Sequence, residues 1–114
     1  MTYLPFPQQF ITNPETFTTT GMGPSWSIEE SPMRNWTMVV KGTGASATLW
    51  DVYLEGSLDD ITYSKIMNHT SNTGDGEHLF SGTTLFPALW YRLNVVTLTL
   101  GPATDIVVTV LGQQ

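Results

Sequence analysis

The stretch from Ser46 to Met67, SATLWDVYLEGSLDDITYSKIM, constrains the chain most. Trp50, Val52 and Leu54 fall on one side of an extended backbone, and Asp51, Tyr53 and Glu55 fall on the other. A period of two is the signature of a strand with one face in a core. Gly56-Ser57-Leu58-Asp59-Asp60 then supplies turn chemistry, and Ile61–Ile66 reads as the returning strand. Trp50, Val52 and Leu54 are expected inside, with Asp51 and Glu55 facing solvent or a partner. A slip of one residue would invert all five.

The same alternation recurs downstream and upstream. Trp36, Met38 and Val40 share a face, and Leu79 and Phe80 open a short strand. Leu89, Tyr91, Leu93 and Val95 alternate with Trp90, Arg92 and Asn94. After Val95 the pattern slips, which predicts a bulge. Gly101-Pro102 marks a turn, and Ile106, Val108 and Val110 form a last inward row. No helical period runs beyond a turn or two, and no repeat is visible. Six or seven short strands punctuated by Gly and Pro predict an all-β chain, an antiparallel β-sandwich of jelly-roll or Ig-like type. At 114 residues it has the size of one domain.

Residues 1–33 are different. Pro5, Pro7, Pro14, Pro24 and Pro32 oppose helix and central strand. Yet Tyr3, Leu4, Phe6, Phe10, Ile11, Phe17 and Trp26 are too apolar for a solvated tail. The segment reads as an extended N-terminal arm on a sandwich domain of residues 34–114. Its seven apolar side chains are candidate partner-binding residues. Whether they pad their own domain or cross to a neighbour stays open, and Ser25–Glu29 is its one expected strand.

Charge narrows the partners. The net charge is −6 and only 12% of residues are charged, against about 25% in an ordinary soluble domain. Arg34, Lys41, Lys65 and Arg92 are scattered, so neither a phosphate backbone nor an anionic membrane is an expected partner. The chain has no cysteine, hence no disulfide and no thiolate metal site. The N-terminus lacks a signal-peptide pattern, and synthesis in the cytoplasm is the expectation.

Chemistry-bearing motifs are sparse. His69 and His78 lack metal-ligand spacing and read as exposed histidines of a polar loop, His69 opening the run HTSNTGDGE and His78 following it. Asp75 with Glu77, and Asp59 with Asp60, could offer oxygens to calcium, but six or more ligands are needed and turn-forming Asp is the simpler reading. No nucleophile elbow, P-loop or dinucleotide fingerprint is present, so no enzyme, cofactor or metal is expected. Asn35 and Asn68 match a glycosylation sequon, which matters only in a secretory pathway. Tyr53, Trp90 and Arg92 project outward and are the candidate ligand-facing residues, where a sugar could stack.

The run Val52–Ile66, VYLEGSLDDITYSKI, resembles the V-x-L-E-G-S-x-D-G-x-x-W-x-x-L hairpin of small tailed-phage virion proteins. Asp60 stands where glycine is usual and Tyr63 where tryptophan is usual. Arg92-Leu93-Asn94-Val95 with Thr97-Leu98 is similar to their later strand, and Ile106–Val110 to the closing one. A similar strand–turn–strand occurs in discoidin-like and carbohydrate-binding sandwiches. The resemblance spans about residues 36–111, describes a hairpin rather than a site, and carries over no catalytic residue. It implies a virion protein, foremost a capsid decoration protein. Such a protein would sit on the outer shell as a homo-oligomer, a trimer being one candidate, bound to the major capsid protein. A carbohydrate-binding module is the alternative, and a tail or baseplate component the third reading.

Overall fold

Ten strands in two antiparallel sheets make up the computed structural model, which describes residues 9–11, 14–27, 35–43, 49–71, 77–83, 88–101 and 103–113. They are β1 Gln9–Ile11, β2 Glu15–Phe17, β3 Gly21–Met22, β4 Trp26–Ser27, β5 Asn35–Thr43, β6 Leu49–Ser57, β7 Ser64–Ser71, β8 Glu77–Thr83, β9 Trp90–Thr99 and β10 Asp105–Gln113. One sheet has the order β1-β10-β5-β8 with β2 also on β10; the other has β3-β9-β6-β7 with β4 also on β9. β1 with β2 and β3 with β4 each lie end to end, so each pair fills one strand position. Counted that way, successive strands alternate between sheets except at the β6–β7 hairpin, in the jelly-roll order of two interlocked Greek keys.

The inward rows meet as the alternation predicts. Trp36, Met38 and Val40 of β5 and Ile106, Val108 and Val110 of β10 line one sheet. Trp50, Val52 and Leu54 of β6 and Tyr91, Leu93 and Val95 of β9 line the other. None of the twelve is more than 1% exposed. Burying an aliphatic side chain of this size contributes about 1.5–3 kcal/mol, so these rows hold the sheets together. The expected slip after Val95 is real: β6 and β9 shift register between Asp51 and Val52, leaving Val96 bulged and exposed.

The proline-rich segment forms four short strands rather than one. β2 pairs with β10 and puts Phe17 opposite Ile106; β4 pairs with β9 and puts Trp26 opposite Tyr91. Cross-strand partners share a face, so both rings point inward, and both pack on the core. For these two side chains the fold realises the alternative within the chain. Three residues separate β1 from β2, and β3 from β4, where the partner strand has only two, and Pro14 and Pro24 fall in those gaps. A residue that cannot donate a ladder hydrogen bond is tolerated at an edge bulge. Thr18–Thr20 carry the chain from one sheet to the other, and Gly21 (φ 147°) makes the entry to β3. Tyr3, Leu4 and Phe6, and the boundary near residue 33, lie outside the described residues. Phe10 and Ile11 are placed only as members of β1.

Four expectations are corrected. Glu55 does not face solvent; it is 8% exposed, because residues of β9 close over it. Ile61 is not in the returning strand, which begins at Ser64, and Leu89 precedes β9 rather than joining its inward row; both are exposed. His69 and His78 are not loop histidines, since β7 runs to Ser71 and β8 starts at Glu77. The pairing of β7 with β6 through Ser71 draws that nominally polar run into the sheet.

Candidate functional site

The outer face of the β3-β9-β6-β7 sheet gathers most of the polar chemistry. Arg92 lies opposite Glu55, and Asn94 opposite Tyr53, on adjacent antiparallel strands. Arg92 Nε donates to Glu55 Oε1 at 2.7 Å, and Asn94 Nδ2 donates to Glu55 Oε2 at 3.2 Å. A carboxylate taken out of water needs such donors to offset its lost hydration. The Arg92 guanidinium also lies over the Tyr63 ring, 3.9 Å from its centroid. The Lys65 ammonium sits 4.9 Å from the centre of Tyr53. Both are cation–π contacts across the strands. Beside them Asp51 accepts from Asn68 Nδ2 at 3.1 Å and from Thr70 Oγ1 at 3.0 Å.

Tyr53, Trp90 and Arg92 lie on the same outward face by register, with Trp90 opposite Ser57 at the far end from Tyr53. Asn94, in the same outward row, joins them, and Glu55, Tyr63 and Lys65 are the residues sequence reasoning missed. Their signal is strand register, which is unreadable before β6 is set against β9. Burial, then the nearby Asp60 carboxylate, push the Tyr63 phenol above its ordinary value. Its hydroxyl donates to Asp60 Oδ1.

The β6–β7 turn adjoins this face and is tied by its own side chains. Ser57 Oγ accepts from the N–H groups of Asp59 and Asp60 at 3.2 and 3.0 Å. Asp59 Oδ1 accepts from the N–H groups of Ile61 and Thr62 at 2.9 and 3.0 Å, and from the Ser57 hydroxyl at 2.9 Å. Those donors, the Thr62 and Ile61 amides first, hold the Asp59 carboxyl below its ordinary range. Asp60 takes φ 61°, the left-handed conformation that explains glycine in the similar hairpins. The turn carries two bare apolar side chains, Leu58 at 71% and Ile61 at 81% exposure. Leu89 N–H donates to Ser57 O at 3.0 Å, which brings a third exposed apolar side chain to the base of the turn.

Elsewhere, Asp75 lies outside the described residues, and Glu77 starts β8. Among the described residues no group of three or more His, Cys, Asp or Glu could hold a metal ion. No described helix is long and apolar enough to cross a membrane.

A sandwich of this order, spanning the whole chain, has a counterpart among solved structures. The fold resembles that of the SPBc2 prophage-derived protein YomS. The TM-score is 0.65 at 12% identity, and the match covers 100% of both chains. PirA overlays more loosely, with a TM-score of 0.44 at 7% identity over 99% of this chain and 97% of that one. No family model and no curated protein matches the chain. At these identities the likeness is one of fold.

Proposed function

We propose that this chain is a structural, non-enzymatic protein of a tailed-phage particle. In this reading it is a capsid decoration protein that binds the major capsid protein and copies of itself on the outer shell. The observation that carries the reading is the full-length fold likeness to a prophage-derived protein, in a chain whose central hairpin independently resembles virion hairpins. Two features support it. The outer polar face is neutralised internally, carboxylate against guanidinium and ring against cation, which suits a lasting surface more than turnover. Exposed apolar side chains stand on a rigid turn, as in a preformed contact.

The test is mass spectrometry and antibody labelling of purified particles from a lysate that contains the chain. The expected result is a fixed, high copy number per particle with label distributed over the shell. Label confined to the tail would move the protein to the tail or baseplate. Absence from particles would sink the reading.

Carbohydrate binding is favoured by one observation, the placement of Tyr53, Trp90 and Arg92 on one outward face. Against it, cations already lie over Tyr53 and Tyr63. Quenching of tryptophan fluorescence by a glycan, abolished in Trp90→Ala, would establish that reading.

A further inference from the structure

We propose that the β6–β7 turn is the element that docks on the shell, with Leu58 and Ile61 entering an apolar recess rimmed by Lys or Arg on the major capsid protein. The inference rests on the function proposed above and names its contact.

The turn is built to present these two side chains. Four backbone N–H groups, from Asp59 to Thr62, are satisfied by Ser57 Oγ and Asp59 Oδ1. Tyr63 ties Asp60 back toward the sheet, and Arg92 covers Tyr63. A loop so braced loses little conformational freedom on binding, which is how a small apolar contact becomes a strong one. Among the described residues nothing covers Leu58 or Ile61, which are 71% and 81% exposed. Single exposed apolar residues are ordinary, but two on one self-braced turn, with exposed Leu89 at its base, make a local apolar tip.

Charge selects the occupant. Asp59 and Asp60 flank the tip, and Asp59 is held in its ionised form by its hydrogen bonds. A recess that accepts the tip must offset this negative charge at its rim. A second copy is poorly suited to that, since the chain is at −6 with four basic residues in all. Arg92 is engaged with Glu55 and Tyr63, and Lys65 lies over Tyr53. A different, basic-rimmed protein surface fits.

The experiment uses purified particles lacking the chain, to which the full chain is added and bound protein is measured by co-sedimentation. Wild type is expected to bind saturably and to weaken as salt rises. Leu58→Ser/Ile61→Ser is expected to bind more weakly by on the order of 30-fold or more, with an unchanged melting temperature. Ile61→Ser alone serves as the second variant should the double one melt early. If wild type binds and both variants bind as tightly, this inference fails while the function stands. If wild type does not bind, the proposed function fails and the inference with it. Variants that lose self-association but keep shell binding would assign the tip to a second copy and overturn the proposal.

Discussion

Nε1 of Trp50 donates a 2.8 Å hydrogen bond to Nδ1 of His69, across adjacent strands β6 and β7. The Trp50 side chain is fully buried, and the two rings lie 5.9 Å apart at 31°. The bond fixes the imidazole as an acceptor at Nδ1, so this histidine is an anchor for an indole rather than a ligand in waiting.

Removing that acceptor is the first prediction. His69→Ala leaves a buried indole N–H without this partner and should cost about 1–3 kcal/mol in urea unfolding. Trp50→Ala should cost about 3–5 kcal/mol by emptying the core at that point. Equal, small losses for the two would mean that the ring is not seated as described.

Arg92→Ala should destabilise more than Glu55→Gln. The first strands a nearly buried carboxylate; the second keeps an acceptor for Asn94 and removes the charge that needs an arginine. A double-mutant cycle should give a coupling of about 1–2 kcal/mol, above the usual exposed pair because Glu55 is covered. Coupling near zero would show the pair to be ordinary surface charge.

Gly112 lies opposite Trp36 on β10, and a Cβ there would sit 2.7 Å from Cζ3 and 3.0 Å from Cη2 of a ring that is 1% exposed. Gly112→Ala should therefore cost about 1–3 kcal/mol by overpacking, although alanine suits a strand better than glycine does. Trp36→Phe in the same background should recover part of the loss. A neutral Gly112→Ala would refute the close approach.

Glu15 faces inward opposite Val108, with one carboxyl oxygen buried and unpartnered near Gly23. Burial raises it from 4.5 to about 7. Between those values the unfolded carboxyl is ionised and the folded one protonated, so the folded state holds the extra proton. Stability contributed by the neutral form is full below 4.5 and lost as pH rises through about 7. The loss should be on the order of 1–2 kcal/mol, after discounting for solvent screening of a half-buried group. Glu15→Gln should flatten the slope of melting temperature against pH over that window; a wild-type slope that persists in Glu15→Gln would assign it to another group.

The core was readable because it obeys a two-residue period that local sequence carries: Trp36, Met38, Val40, Trp50, Val52, Leu54, Ile106, Val108 and Val110 all fall inside as the alternation places them. The outward parity of Tyr53, Trp90 and Arg92 was readable for the same reason. Glu55 and His69 were misjudged because their surroundings come from other strands, and no local pattern announces an arginine 37 residues away. The proline-rich segment was legible as extended and apolar. Its four strands were not, since each is held by the edge it meets rather than by its own sequence. Asp60 was flagged by glycine's usual place in similar hairpins, and its φ of 61° supplies the reason.

The proline gaps in the two edge strands also give the molecule a sidedness. A foreign strand laid along β1 and β2, or along β3 and β4, would meet a missing donor and a shifted register midway. On the other flank, β7 carries a register shift of its own at Ile66, where it passes Leu54 and Glu55 of β6, and β8 runs against β5 without one. A bulge or a missing donor blunts an edge against pairing with a foreign strand. Three of the four edge positions are blunted in this way, which guards a weakly charged β-protein against open-ended strand addition.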